Sequence, residues 1–343
     1  MAPGIIDVDC NLLHGDLNTL QKASTTTTTT TTDTDHAWNI LHEDAIKDAN
    51  IVAILSPSST ILESEKSLEL LKSDPPPPIL IKTTVGVHPY HVNDDDLLFS
   101  SSNGERITME EQKKRIKNII MMDREEEEEE EEEQNSNKNR FCAAVGECGL
   151  DASEGFPSLE HQVPWFQMQI EIASELEMPL FVHERLAFDK TIELLEKAAP
   201  KIPIIIHCFT GTKEECIEYI KRGYFISISG YILKESNDNC AEVISCLEEG
   251  VIPPSKLMIE TDAPYMGFSG CRQLYLDHNQ EYVSSLNSKK RKRLQQSIYP
   301  NVPSSLPMVL SKVTECLQKH DSTLTREKVA EMTTANARTF FGL

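Results

Sequence analysis

Eight short apolar runs, rich in isoleucine and valine, recur along the chain: GIIDVD (4–9), IVAIL (51–55), ILIKTTVGV (79–87), FCAAVGE (141–147), PLFVHE (179–184), IPIIIHC (202–208), YFISISG (224–230) and KLMIETD (256–262). They are mostly continuous rather than alternating, the pattern of strands buried on both faces of a parallel sheet. Segments of helical spacing separate them. In WFQMQIEIASELEM, Phe166, Ile170, Ala173 and Leu176 fall on one face at steps of four, three and three. AFDKTIELLEKAA (187–199) and KEECIEYIKRG (213–223) read likewise, with Gly223 placed to cap the second. Strands alternating with helices in this way predict a (β/α)8 TIM barrel. A doubly wound open sheet is the alternative, and the lack of a GxGxxG after the first run counts against its dinucleotide-binding form.

Three segments interrupt the rhythm and read as insertions in a single domain spanning 1–343. STTTTTTTTDTD (24–35) is polar and low in complexity, so it buries too little apolar surface to offset the entropy of ordering. DPPPP (74–78) is a stiff polyproline spacer. Residues 123–140 carry nine consecutive glutamates, a self-repelling run expected as a solvated loop or frayed helix.

Composition then narrows the classes. At 343 residues and 39% hydrophobic, the chain can build a large core. No apolar stretch approaches the length of a membrane span, and the first eleven residues do not read as a secretory signal. Nine unclustered cysteines without a CxxC pair suggest reduced thiols in a cytoplasmic or nuclear compartment and argue against a cysteine zinc site. The net charge of −22 argues against a general basic nucleic-acid binder. Residues 123–140 account for −7 of it, ten acids against three bases, which leaves −15 elsewhere. A phosphate-bearing substrate would need metal ions at a localised site.

The ends of the runs supply such a site. Glu147 closes the fourth, His183 the fifth, His207 the sixth and Asp262 the eighth. Singly, each is most simply a structural histidine or a helix cap. In a barrel, however, the C-terminal strand ends open onto one face. Two imidazoles and two carboxylates converging there make a divalent-metal site with mixed nitrogen and oxygen ligands.

The motifs VGECGLD, FVHER, IIHCFTG and IETDAPYMGF, in this order, resemble those of the TatD family of metal-dependent deoxyribonucleases, within the amidohydrolase-like barrels. VGVHPY (85–90) resembles that family's G-x-H-P-H motif, and TANARTFFGL its usual C-terminal ending. The resemblance implies a barrel, divalent metal, a DNA substrate and removal of nucleotides from its ends, commonly 3′ to 5′. It implies Glu147, His183, His207 and Asp262 as metal ligands, with Glu147 bridging two ions and Asp262 taking the proton from the attacking water. His88 and Arg185 would contact phosphate. Some positions depart from the family's habit: Asp9 and Asn11 stand where many relatives have two histidines, although a subgroup shares the Asn; Tyr90 stands where His is common and Val302 where Glu is common.

On this reading Glu147, His183 and His207 furnish one firm site. Asp262, with Asp9 and Asn11, offers oxygen ligands suited to Mg²⁺ or Mn²⁺ at a weaker one, and Zn²⁺ also suits the nitrogen-bearing site. KKRKR (289–293), in the long segment after the eighth run, reads as a solvated stretch, a nuclear import signal or a DNA-facing patch. Cys142, Cys148 and Cys208 have no evident base partner and read as packing residues. Two rival functions remain: hydrolysis of a small amide, ester or lactone on the same barrel, and a non-catalytic acidic scaffold. No feature points to an obligate protein partner.

Overall fold

The computed structural model describes residues 3–17, 39–73, 76–99, 104–131, 140–234 and 238–343. Its strands are β1 (Ile5–Asp7), β2 (Ile51–Ser56), β3 (Leu80–Val85), β4 (Cys142–Asp151), β5 (Leu180–Arg185), β6 (Ile204–Ile206), β7 (Phe225–Ile228) and β8 (Leu257–Ile259). Every one starts inside an apolar run read from the sequence. They form one eight-stranded sheet in chain order, β1 to β8. This is the (β/α)8 barrel expected. Contacts within the chain divide it into two compact units.

One unit comprises residues 57–72 and 82–207. Here β3 pairs with β4, β4 with β5 and β5 with β6, all in parallel. Ile204, Ile205 and Ile206 are at most 2% exposed, as are Leu180, Phe181 and Val182 beside them. The helix Leu159–Glu175 covers β4 with Phe166, Ile170, Ile172 and Ala173, all buried. Full burial of each of its three large side chains contributes about 2 kcal/mol. The helix Phe188–Ala198 follows β5.

The other unit comprises residues 1–56, 73–81 and 208–343. β7 pairs with β8 and β1 with β2. The chain beyond β1 meets the chain beyond β8: Val8 N–H donates to the Ile259 carbonyl at 3.3 Å, and Asp262 N–H to the Asp9 carbonyl at 2.8 Å. A parallel bridge between Cys10 and Ala263 continues this pairing. The C-terminal helix Arg326–Phe341 is clamped to strand ends: Asn336 Nδ2 donates to the carbonyls of Leu257 and Pro254, both at 2.8 Å, and Thr334 Oγ1 to that of Gly4 at 3.0 Å. The TANARTFFGL ending thus has a physical role in holding β8. The helix Lys213–Lys221 ends at Arg222, and Gly223, at φ 80°, takes the left-handed position that follows.

The threonine-rich segment 24–35 and residues 74–75 lie outside the described residues. Of the third expected insertion, 132–139 lie outside them, while the backbone is helical from Met109 to Glu131. Asp123, at its start, is buried, and its carboxylate accepts the Cys142 N–H at 2.8 Å. All nine cysteines are buried free thiols. Among the described residues no helix is long and apolar enough to cross a membrane.

Candidate metal centre

Glu147 does not close its strand; β4 runs on to Asp151. The reason lies in the pairing with β5. Val145 pairs with Leu180 and Cys148 with Val182, so three steps on β4 face two on β5. One extra residue makes a bulge at Gly146–Glu147, and a bulge re-aims a side chain that a regular ladder would hold elsewhere. Pairing then resumes, with Gly149 opposite His183 and Asp151 opposite Arg185. Likewise His183 lies within β5, His207 follows β6 by one residue, and Asp262 follows β8 by three.

The re-aimed carboxylate sits among three imidazoles. Glu147 Oε1 is 2.7 Å from His207 Nε2, 3.2 Å from His183 Nδ1 and 3.3 Å from His88 Nε2. Potential ligand atoms of His88, Glu147 and His183 all lie within 4.8 Å of one another. Burial alone would raise the Glu147 carboxyl, but the charges of His88 and His207 and hydrogen bonds with His183 and His207 hold it well below the ordinary range. Such a carboxylate with nitrogen donors around it fits a divalent cation.

The three rings differ in what holds their second nitrogen. His183 Nε2 donates to Asp151 Oδ2 at 2.8 Å, leaving Nδ1 turned toward Glu147. Burial opposes protonation of His183, but Asp151 and Glu147 outweigh it and raise its pKa. Asp151 responds in kind: burial would raise it, yet the bonds from His183 and Ser153 lower it. His88 is set the other way. Its Nδ1 accepts the Tyr90 N–H at 3.2 Å, so the neutral ring carries its proton on Nε2, facing Glu147. That arrangement suits a donor rather than a ligand. Burial lowers the pKa of His88, which favours this neutral form. His207 stacks on Phe181, with centroids 4.7 Å apart and planes 21° from parallel.

Two glutamines missed in the sequence hold this arrangement. Gln162 and Gln169 are fully buried on the helix Leu159–Glu175. Gln162 Oε1 accepts the Asp151 N–H at 2.8 Å, and its Nε2 donates to the Asp151 carbonyl at 2.7 Å. Gln169 binds Val87 in the same two-way fashion, at 2.8 and 3.0 Å, next to His88. Their seven-residue spacing, two turns on a face otherwise apolar, was the signal available. Asp151 was also missed, although it ends VGECGLD and lies four residues, two strand periods, beyond Glu147.

In the other unit Asp9 and Asp262 are buried, and Asn11 Nδ2 donates to Asp9 Oδ1 at 3.4 Å. Asp262 has φ 53°, a left-handed conformation that Asp tolerates better than most residues. Asp7 Oδ1 accepts the Asp9 N–H at 3.3 Å. Its carboxylate accepts Thr261 N–H at 2.8 Å and Thr261 Oγ1–H at 2.6 Å, while burial pushes its pKa up to about 8. Asn301 Nδ2 donates to the Thr261 carbonyl at 2.9 Å, and its neighbour Val302 is buried.

The structure therefore brings Glu147, His183, His207 and His88 together in one unit and places Asp262 beside Asp9 in the other. Arg185 ends β5 with its side chain exposed, and among the described residues its guanidinium has no hydrogen-bond or ion-pair partner. Tyr90 is 53% exposed, its ring 5.4 Å from that of Phe156. Burial pushes the thiols of Cys142, to about 12, and of Cys148 upward, which keeps both protonated.

Residues 25–342 match the family model described as TatD related DNase. A protein of Citrobacter koseri named 3′-5′ ssDNA/RNA exonuclease TatD is 45% identical over 124 residues, 36% of this chain and 46% of the relative. The protein of that name from Escherichia fergusonii is 35% identical over 201 residues, 58% of this chain and 66% of its own. The chain thus spans from about half to just under two thirds of the length of these relatives. In fold it is similar to the crystal structure of a TatD family hydrolase from Entamoeba histolytica, with TM-score 0.67, 18% identity and 99% of each chain covered. The motif order, the barrel and the family match agree, and this chain belongs to the family of TatD-related DNases.

Proposed function

We propose that this chain is a metal-dependent deoxyribonuclease that removes nucleotides from the 3′ ends of DNA, working as one hydrolase barrel. The observation that carries the reading is the Glu147 carboxylate held among His88, His183 and His207 within 3.3 Å. The names of the relatives from Citrobacter koseri and Escherichia fergusonii support the substrate and polarity.

Glu147, His183 and His207 would hold one ion firmly. Asp262, with Asp9 and Asn11, would hold a second, weaker one through oxygen atoms, which suits Mg²⁺ or Mn²⁺. When bound, such ions lower the pKa of water and stabilise charge on a phosphoryl group. The chain's own groups do the rest. Asp262 would take the proton from the attacking water. His88, fixed as an Nε2–H donor, would hydrogen-bond a phosphate oxygen, and the exposed Arg185 would hold the neighbouring phosphate. Asp151 keeps the His183 ring oriented. The buried free thiols support a reducing compartment.

Single-stranded DNA carrying a 5′ label, digested with added Mg²⁺, tests this reading. A descending ladder that stops with chelator is expected. Immediate release of a labelled 5′ mononucleotide would reverse the polarity, and digestion indifferent to chelator would remove the metal.

A further inference from the structure

The basic run KKRKR lies on the helix Ser288–Gln296, which holds five of the chain's 33 Lys and Arg residues and no acid. Arg291 is committed to structure: its guanidinium donates to the carbonyls of Val283, Ser284 and Leu286. Lys289, Lys290, Lys292 and Arg293 are exposed. Among the described residues none of these four has an ion-pair partner. Lys290 and Arg293, three residues apart and so on one helix face, line a cleft of about 580 Å³ together with Tyr282, Tyr299, Arg272 and Asp16.

The cleft is built, not frayed. The buried Arg272 guanidinium donates to the carbonyls of Leu294, Ser297 and Pro300, which anchors the end of the basic helix and the chain carrying Tyr299. From there aromatic rings continue. Tyr299, 42% exposed, lies 6.3 Å from Tyr265, 46% exposed, whose ring meets His14 edge-on at 5.4 Å. Tyr265 N–H donates to the carbonyl of Asp262 at 2.7 Å. Asp16 is the one carboxylate lining the cleft, and the Tyr299 hydroxyl donates to it.

Basic groups on one wall and exposed ring faces leading away are what a single nucleic-acid strand requires: cations for phosphates and π-faces for bases of any identity. On a chain of net charge −22, a partnerless basic face singles out a polyanion. We propose that this cleft and the Tyr265–Tyr299 pair form a track for single-stranded nucleic acid, with Lys290 and Arg293 on its phosphates. The proposal rests on the nuclease reading for the identity of the strand as substrate, but its binding is measurable without catalysis.

The probe is a fluorescent 20-residue oligothymidylate, titrated in chelator at several salt concentrations. Lys290→Ala combined with Arg293→Ala is expected to weaken binding about tenfold. It should also reduce the slope of log affinity against log salt by about 1.4, two contacts at about 0.7 each for a single strand. Removing equal charge elsewhere, with Lys197→Ala and Lys201→Ala, leaves both unchanged. Tyr299→Ala should weaken binding five- to tenfold with the salt slope kept, and Tyr299→Phe should bind as the parent does. Unchanged affinity and slope in the Lys290/Arg293 variant overturn the track. A parent that binds with this salt slope yet cleaves nothing keeps the track and removes the nuclease reading.

Discussion

Asp151 accepts a hydrogen bond from Nε2 of His183 at 2.8 Å and thereby presents the ring's other nitrogen to Glu147. A carboxylate behind a metal-binding imidazole fixes its tautomer and raises its basicity, and losing one typically weakens metal affinity tenfold to a hundredfold. Asp151→Asn keeps the size of the side chain and removes its charge. Mn²⁺ affinity by calorimetry should fall by about tenfold or more. Affinity equal to the parent's would show that Asp151 plays no part in orienting His183.

Gln169 reaches the backbone of Val87 with both ends of its amide, one residue from His88. Gln169→Leu fits a similar volume but leaves a buried N–H and a buried carbonyl unmatched. A cost of about 2–6 kcal/mol in unfolding free energy is expected, as each of the two unsatisfied groups costs about 1–3. A urea midpoint unmoved from the parent's would contradict the role given to this glutamine.

Gly149 has φ 143°, and a Cβ there would meet the carbonyl oxygen of His183 at 1.8 Å. Gly149→Ala must push β4 from β5 beside a proposed ligand. Destabilisation of about 3 kcal/mol or more is expected, together with weakened Mn²⁺ binding. A variant as stable as the parent would show that the strands part without cost.

Glu43 is half-buried, accepts Asn279 Nδ2 at 3.0 Å, and is pushed up to about 7 by burial, against the pull of Asn279 and His278. Its folded pKa lies above its ordinary value of 4.5, so folding favours the protonated form. Its contribution is present below about 4.5 and lost as pH rises through about 7. Glu43→Gln should therefore gain melting temperature relative to the parent between pH 4.5 and 8. A difference that stays constant across that range would count against the shift.

Much of this was legible in the sequence because burial on both faces forces continuous apolar runs, and all eight strands announced themselves that way. His183, His207 and Asp262 were legible as polar interruptions of those runs. The bulge at Gly146–Glu147 was not, since strand pattern predicts register only where alternation is regular. Asp151, Gln162 and Gln169 were hidden for a related reason: their partners are backbone groups and a ring distant in sequence, which leave no local periodicity. The tautomer of His88 depends on the Tyr90 N–H, a turn detail beyond reach of composition or spacing.

His207→Ala probes whether the imidazole-ringed Glu147 centre works as a metal site. His207 is 3% exposed and stacks on Phe181, so the melting temperature is measured alongside the rate of Mg²⁺-dependent digestion of single-stranded DNA. The variant is expected to stay folded, bind Mn²⁺ weakly and degrade DNA about a hundredfold more slowly or worse. A folded variant that digests DNA at the parent's rate would show that His207 and its neighbours hold no catalytic metal.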